Sequence, residues 1–494
     1  MPGLIGTIKR KNYCRKNFDD ALSLLTNNQS DKIDDVYEDN SIIASRVHLG
    51  IIGTQCSPYK QENLVLWIEG EVYNEKDNDP VYLNKRICDA HIQGKLIEVL
   101  REIDGYYSAV LYDSKRKQVK IWTDRYGLKP LYFENSTNFS WSSELKSFKH
   151  LSSINLAQNL DYNAIEYFIE QGQFVGNRTY FNDIKLLDAS TLLTYDINND
   201  KLQSQRYWKW AYIQQQKIPF KDASRKLFDK INSSLSSRLI GKNNSQLGIT
   251  LSGGIDSRVL LSLSPPNIQT LTFGTSDCID NKIAKRVARR NSNPHRLFEL
   301  NANNWIQGRI EAIKITDGMF NMQHMHSAPF LNEFKKYYNI NINGFVGDLN
   351  VGGGWINKLN ARISQQSIFS KFGDISEFVD QTDSFYDLPH EDPFYLDVRA
   401  RRFTNMGTIQ NSTTLEQVKP FYSNELIEFL YSLPDEYRIN GKLYKDMILN
   451  YMPRLFKDLH TTHSIYPIGQ ENDILYKAKL KYKNGLIKLG FNSP

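Results

Sequence analysis

Gln246-Leu247-Gly248-Ile249-Thr250-Leu251-Ser252-Gly253-Gly254-Ile255-Asp256-Ser257-Arg258-Val259-Leu260-Leu261 decides how this chain folds. A short, largely apolar run, a pair of glycines and a second apolar run spell strand, tight loop and helix. Glycines let the backbone turn so that successive N–H groups converge on an anion. A helix beginning near Ser257 adds the partial positive charge of its N-terminus. Ser252 and Ser257 offer hydroxyl donors, and Asp256 places an acid beside the anion. The chemistry that needs an acid there is the holding of Mg²⁺ across phosphates. The GxxxxGK[ST] pattern is absent, so this is a phosphate loop of another kind.

Working outward, Thr270 to Gly274 reads as a second strand and Asn281 to Asn291 as a basic helix. Strand, helix, strand predicts a parallel α/β sheet. A helix over Asp222 to Leu239 precedes it. Beyond about residue 360 the chain reads as mostly helical, with Asn424 to Ser432 and Leu443 to Tyr451 the clearest segments. Toward the N-terminus the pattern changes. Leu64 to Ile68 and Ser108 to Tyr112 are apolar runs of strand length. Lys117 to Trp122 alternates polar and apolar residues as a half-buried strand does, and Asp113-Ser114-Lys115-Arg116 is a hairpin turn. One helix is expected over about His91 to Glu102. The fold expected is therefore two-domain, α+β then α/β: an antiparallel unit over residues 1–150, connecting strands over 151–220, and a parallel α/β unit with added helices over 221–494.

Composition narrows the function. The 494 residues carry a net charge of +6, but Lys and Arg are dispersed, which argues against nucleic acid as partner. Cys14, Cys56, Cys88 and Cys278 form no CxxC pair, so neither zinc nor a redox motif is indicated. They read as reduced thiols of a cytoplasmic protein. No apolar run approaches 18 residues and no signal peptide is visible, so no membrane partner is expected.

The loop resembles the SGGxDS segment of the N-type ATP pyrophosphatases, which holds the pyrophosphate leaving when AMP is transferred. From there the chain is similar to the asparagine synthetase family nearly end to end. Gly70-Glu71-Val72-Tyr73-Asn74 resembles GEIYN. Asp124 to Tyr132 resembles DRxGxKPLYY, and Trp141 to Lys146 resembles FxSExK. Thr179-Tyr180-Phe181 with Tyr207-Trp208 matches the connecting strands. Gly344-Phe345-Val346-Gly347-Asp348, with Gly352-Gly353, resembles GEGSDExxGG, and Leu415-Glu416 with Pro420-Phe421 resembles LExRxPF. The resemblance implies an N-terminal Ntn-type glutamine amidotransferase-like sandwich. It implies a C-terminal synthetase domain, adenine nucleotide alpha hydrolase-like, that uses ATP and Mg²⁺. Carried over, Ser252, Gly253, Gly254, Asp256 and Ser257 would hold pyrophosphate, and Asp256 and Asp348 would share the metal. Leu251, Thr272, Phe273 and Gly347 would surround adenosine. Glu416 would serve as base toward an attacking amine, and Lys445 and His463 would supply positive charge to the departing pyrophosphate.

Departures carry information as well. The family's glutaminase uses an N-terminal cysteine, and Pro2 stands in that register before Gly3-Leu4-Ile5-Gly6. Asn74, attributed to the oxyanion hole, is kept but lacks a nucleophile to serve. Phe345 replaces the acid of GEGSDE, Val418 replaces the arginine of LExRxPF, and the RPKxGF lysine is not recognisable between His460 and Pro467. β-Lactam synthetases and lasso-peptide cyclases share the missing cysteine. The expectation is an ATP-dependent amide-forming ligase with an inactive glutaminase. It would activate a small-molecule or peptide carboxylate as acyl-AMP for attack by ammonia or a substrate amine. A homodimer is compatible with this reading. The alternatives are a glutamine-dependent asparagine synthetase proper and a non-catalytic ATP-binding relic.

Overall fold

The structure, a computed structural model, describes residues 2–10, 13–28, 30–52, 57–74, 79–356, 384–462 and 464–470. Two antiparallel sheets make the N-terminal unit. The first runs Ile184–Leu186, Tyr132–Glu134, Ser140–Ser142, Gly3–Ile8, Ile42–His48, Lys32–Ile33, with Tyr37–Glu38 also pairing to Ile42–His48. The second runs Lys201–Arg206, Thr191–Asp196, Gln118–Thr123, Gly105–Asp113, Leu64–Val72, Tyr59–Gln61. Strand alternation points Leu4, Ile42, Trp67, Val110, Ile121 and Trp141 into one shared core, so the sheets stack face to face. The helix Arg15–Leu25 covers the outer face of the first sheet through Phe18, Leu22 and Leu25. Helices Pro80–Ile92 and Leu96–Glu102 cover the second through Leu83, Ile87 and Leu100. This is the sandwich the sequence implies.

The single helix expected over His91 to Glu102 is two. Gly94 adopts φ +74°, a left-handed conformation that ends the first helix before Leu96 begins the second. Ile184–Leu186 and Thr191–Asp196, from the connecting stretch, add to the edges of the two sheets through Tyr132–Glu134 and Gln118–Thr123.

The third sheet is wholly parallel, in the order His295–Glu299, Gln269–Gly274, Leu247–Thr250, Ile340–Ile342, Glu416–Val418. The helices Phe220–Leu239, Asp256–Leu263 and Ile279–Arg290 pack on it through Leu227, Ile231, Val259, Leu260, Ile283 and Val287. That apolar cluster continues into Tyr106 and Tyr126 of the N-terminal unit and Trp208 of the connecting stretch. Polar links tie the same seam: Arg238 to Asp104 at 3.0 Å, Lys242 to Glu71 at 2.7 Å, and Arg125 to Glu428. Among the described residues no helix is long and apolar enough to cross a membrane.

Candidate active site

Open parallel sheets bind ligands beyond the carboxyl ends of their strands. At that edge Leu247–Thr250 runs into the Leu251–Ile255 loop, and Asp256 opens the following helix. The adjacent strand Ile340–Ile342 runs into Gly344–Asp348 at the same edge. The two segments meet at Asp256. Its Oδ2 accepts the Asp348 backbone N–H at 2.9 Å, and its Oδ1 accepts the Tyr444 hydroxyl at 3.0 Å. Glycine makes the approach feasible: a Cβ at Gly347 would lie 2.5 Å from the Asp256 Cγ. The turn is strained as well. Val346 sits at φ 52°, ψ 26°, left-handed backbone that a β-branched residue rarely adopts, where the resembled motif carries glycine.

Burial, and then the neighbouring Asp348 carboxylate, push the Asp256 carboxyl up to about 8. Such an acid pair is relieved by a divalent cation. Asp348 is exposed at the opening, and two carboxylates are the hard oxygen donors that Mg²⁺ prefers, so these residues fit that metal.

Three successive loop amides are capped by side chains, two from the motif itself and one from the next helix. Ser252 N–H donates to Ser257 Oγ at 3.1 Å, Gly253 N–H to Asp280 Oδ1 at 2.7 Å, and Gly254 N–H to Ser252 Oγ at 3.2 Å. Arg258, fully buried one residue past the motif, binds the Gly253 carbonyl at 3.1 Å. It also binds the carbonyls of His460 and Leu459 at 3.1 and 3.4 Å. It thereby fastens the hairpin of His460–Thr461 and Ser464–Pro467 to the loop.

The other expected residues fall at several places. Leu251 is buried, with its N–H on the Leu271 carbonyl, and its own carbonyl accepts the Thr272 hydroxyl at 2.6 Å. Phe273 is half-buried and stacks against Phe334. Lys445 follows Tyr444 on the helix Lys442–Tyr451 and lies half-buried near Gly441. His463 falls outside the described residues, as does Cys56. Glu416 is not brought to the loop. It begins its strand in register with Ile340 and Leu247, at the opposite end of the sheet and two strands over, roughly 19 Å from Ser252 at the usual rise per residue and strand spacing. Burial pushes its carboxyl up to about 8, and its charged surroundings are Lys129, Glu69, Glu71 and Lys242.

In the N-terminal unit, Asn74 donates to the Glu102 carbonyl at 2.9 Å and accepts from Asp104 N–H at 2.6 Å. These two bonds fix the orientation of the amide and use one of its two N–H donors. Pro2 is buried. Cys88 is buried with its thiol pushed up to about 12, whereas Cys14 is exposed.

Sequence reasoning passed over Tyr444, Asp280, Arg258 and Thr462. Only Arg258 left a signal, as a lone charge among residues of a buried helix, where a cation needs partners.

The comparisons agree with this layout. The glutamine amidotransferase domain family matches residues 87–208, and the asparagine synthase family matches residues 226–382. A putative glutamine-hydrolyzing asparagine synthetase 2 of Methanocaldococcus jannaschii is 24% identical over 215 residues, 41% of this chain and 40% of the relative. The glutamine-hydrolyzing asparagine synthetase 2 of Bacillus subtilis is 23% identical over 260 residues, 46% and 33% of the two chains. The matches thus span well under half the length of these relatives. Among solved structures, the allosteric regulatory enzyme of purine biosynthesis aligns at TM-score 0.29 and 12% identity, over 60% of this chain and 64% of that one. An amidotransferase-type sandwich is joined to an asparagine synthase-type parallel sheet, each matched in turn along one sequence, and it is to the asparagine synthetases that this chain is similar.

Proposed function

We propose that the chain is an ATP-dependent carbon–nitrogen ligase that activates a carboxylate as acyl-AMP, releases pyrophosphate and passes the acyl group to a nitrogen nucleophile. The observation that carries this reading is the meeting of Asp256 and Asp348 at the mouth of a glycine loop, on the carboxyl edge of a parallel sheet. Bound Mg²⁺ would neutralise the nucleotide phosphates and the acid pair together. Asp256 and Asp348 would hold that ion, with Tyr444 and the Asp348 amide fixing the orientation of Asp256. The loop amides and the hydroxyls of Ser252 and Ser257 would take the departing pyrophosphate, stabilising charge as it develops. Leu251, Thr272, Phe273 and Gly347 would line the adenosine side. Lys445 and His463 are assigned to the pyrophosphate.

We assign residues 1–150 to an amidotransferase-like unit, 151–220 to connecting strands and 221–494 to the synthetase. The glutaminase is read as inactive: Pro2 supplies no thiol, and Asn74 alone has no nucleophile to serve. Nitrogen then comes from ammonia or from an amine on the substrate, which is a small-molecule or peptide carboxylate. Phe345 in place of the motif's acid argues against aspartate. The working compartment assigned is the cytoplasm.

ATP–pyrophosphate exchange across a panel of carboxylic acids tests the reading. Exchange should appear with at least one acid and vanish in Asp256→Ala and Asp348→Ala. Exchange that persists in both variants overturns it.

A further inference from the structure

The capping of the loop has a chemical asymmetry. Ser257 Oγ on Ser252 N–H and Ser252 Oγ on Gly254 N–H are neutral hydroxyls, which can turn and donate to an arriving phosphate. The cap on Gly253 N–H is the Asp280 carboxylate at 2.7 Å. A carboxylate can only accept, and it repels the anion for which the loop is shaped. Asp280 belongs to the helix Ile279–Arg290, which follows the neighbouring strand, so it reaches the loop from outside. The same Oδ1 also accepts the Thr462 hydroxyl at 2.7 Å, and Thr462 N–H donates to the Gly253 carbonyl at 3.2 Å. A Cβ at residue 253 would fall onto the Thr462 Oγ1 and lie 2.8 Å from the Asp280 Oδ1. Glycine at 253 therefore admits carboxylate and hydroxyl together against the loop.

We propose that Asp280 is an internal anion that occupies the phosphate loop in the nucleotide-free chain, and that nucleotide phosphates must displace it from Gly253. This rests on the ATP-binding reading above. Displacement takes the acceptor from the Thr462 hydroxyl and so loosens the 460–467 hairpin at the end next to the loop, while Arg258 keeps its hold on His460 and Leu459. Entry of nucleotide and opening of the hairpin become one event. Asp280 is a positioning residue here, acting through the loop amide.

Removing the competing carboxylate frees a charge-assisted hydrogen bond's worth of affinity, a gain of about 10- to 100-fold for ligands that reach the Gly253 amide. The test is calorimetric titration of the full chain with Mg-ATP and with AMP, in wild type, Asp280→Ala, Asp280→Asn and Thr462→Val. Asp280→Ala should bind Mg-ATP about 10- to 100-fold more tightly, and AMP, lacking β- and γ-phosphates, about as wild type does. Asp280→Asn keeps an acceptor without charge and should fall between, which retains a readout if the alanine variant is poorly folded. Hydrogen exchange of wild type should show residues 459–468 exchanging faster with Mg-ATP than without. In Asp280→Asn and Thr462→Val they should exchange faster already in the free chain. Mg-ATP binding that is unchanged or weaker in both Asp280 variants overturns the proposal and leaves the ATP-site reading standing. Absence of Mg-ATP binding in wild type and in every variant overturns both.

Discussion

Gly347→Ala puts a methyl group where the structure has no room for one. The added Cβ would lie 2.5 Å from Asp256 Cγ, 2.6 Å from its Oδ1 and 2.8 Å from Phe421 Cε2. Ordinary carbon–carbon contacts are about 3.5–4.0 Å, so something must move by about 1 Å. Phe421 is fully buried in the core on one side, which leaves Asp256 as the group that yields. Overpacking of this kind costs about 1–3 kcal/mol. If the whole strain is relieved by displacing Asp256, Mg-ATP affinity falls about 5- to 150-fold. Val346→Gly, one residue earlier, is the control. It removes left-handed strain of about 1–3 kcal/mol and deletes a buried isopropyl group worth about as much. Stability should then shift by less than about 2 kcal/mol, with Mg-ATP binding retained. Titration with Mg-ATP, beside thermal unfolding of each variant, separates lost affinity from lost fold. A Gly347→Ala protein that binds Mg-ATP within twofold of wild type and unfolds at the same temperature would refute the placement of Asp256 against this turn.

Three further outcomes follow from the geometry. Arg438 is fully buried between Asp392 at 2.6 Å and Asp435 at 2.9 Å, with His390 on Asp435 at 2.6 Å. Arg438→Met strands two buried acids and should cost about 3–5 kcal/mol in chemical denaturation; a loss under about 1 kcal/mol would show the pairs to be dispensable. Arg258→Met removes three carbonyl contacts, so the amides of residues 459–462 should exchange at least about 10-fold faster; unchanged protection contradicts the fastening role. Glu416 titrates near 8 in the fold against 4.5 for the free side chain, its burial favouring the neutral acid. Its contribution to stability is therefore full below pH 4.5 and is lost as pH rises through about 8. Glu416→Gln, a permanently neutral mimic, should flatten that fall; denaturation midpoints that track wild type across the window would remove Glu416 as its source.

The phosphate loop was legible because its signal is local: strand, glycines and helix lie within sixteen consecutive residues, and each element follows from the backbone demands of the one before. The three-residue strands Ile340–Ile342 and Glu416–Val418 were not, since a run of three shows no period. His295–Glu299 was not legible either, so the sheet read from sequence lacks three of its five strands, and the register that sets Glu416 away from the loop cannot be drawn. Tyr444 was invisible for a different reason. It lies 188 residues from Asp256, and nothing within its own helix marks the hydroxyl as a ligand of that acid. Local chemistry can be read from local sequence, whereas the partners that hold an acid in place come from wherever the topology returns the chain.

The departure at Val418 shows how topology changes what a substitution means. Along Glu416–Val418, successive side chains leave opposite faces of the sheet. The resembled motif places its cation at 418, where this chain has a fully buried valine, and the nearest cation is Lys419. A shift of one residue in extended backbone sends the charge to the other side. The Lys419 ammonium donates to Asn405 Oδ1 at 2.7 Å, lies 3.8 Å from the Tyr106 ring centroid and 4.8 Å from that of Phe345. Burial holds its pKa well below the ordinary lysine value. Phe345 is itself the residue standing where the motif carries an acid. Both charged positions of the resembled motifs are thus altered together: an acid has become a ring, and the cation one residue on lies between that ring and Tyr106 of the N-terminal unit. Neither charge that the resembled motif would offer to a dicarboxylate zwitterion therefore stands at its position in this chain.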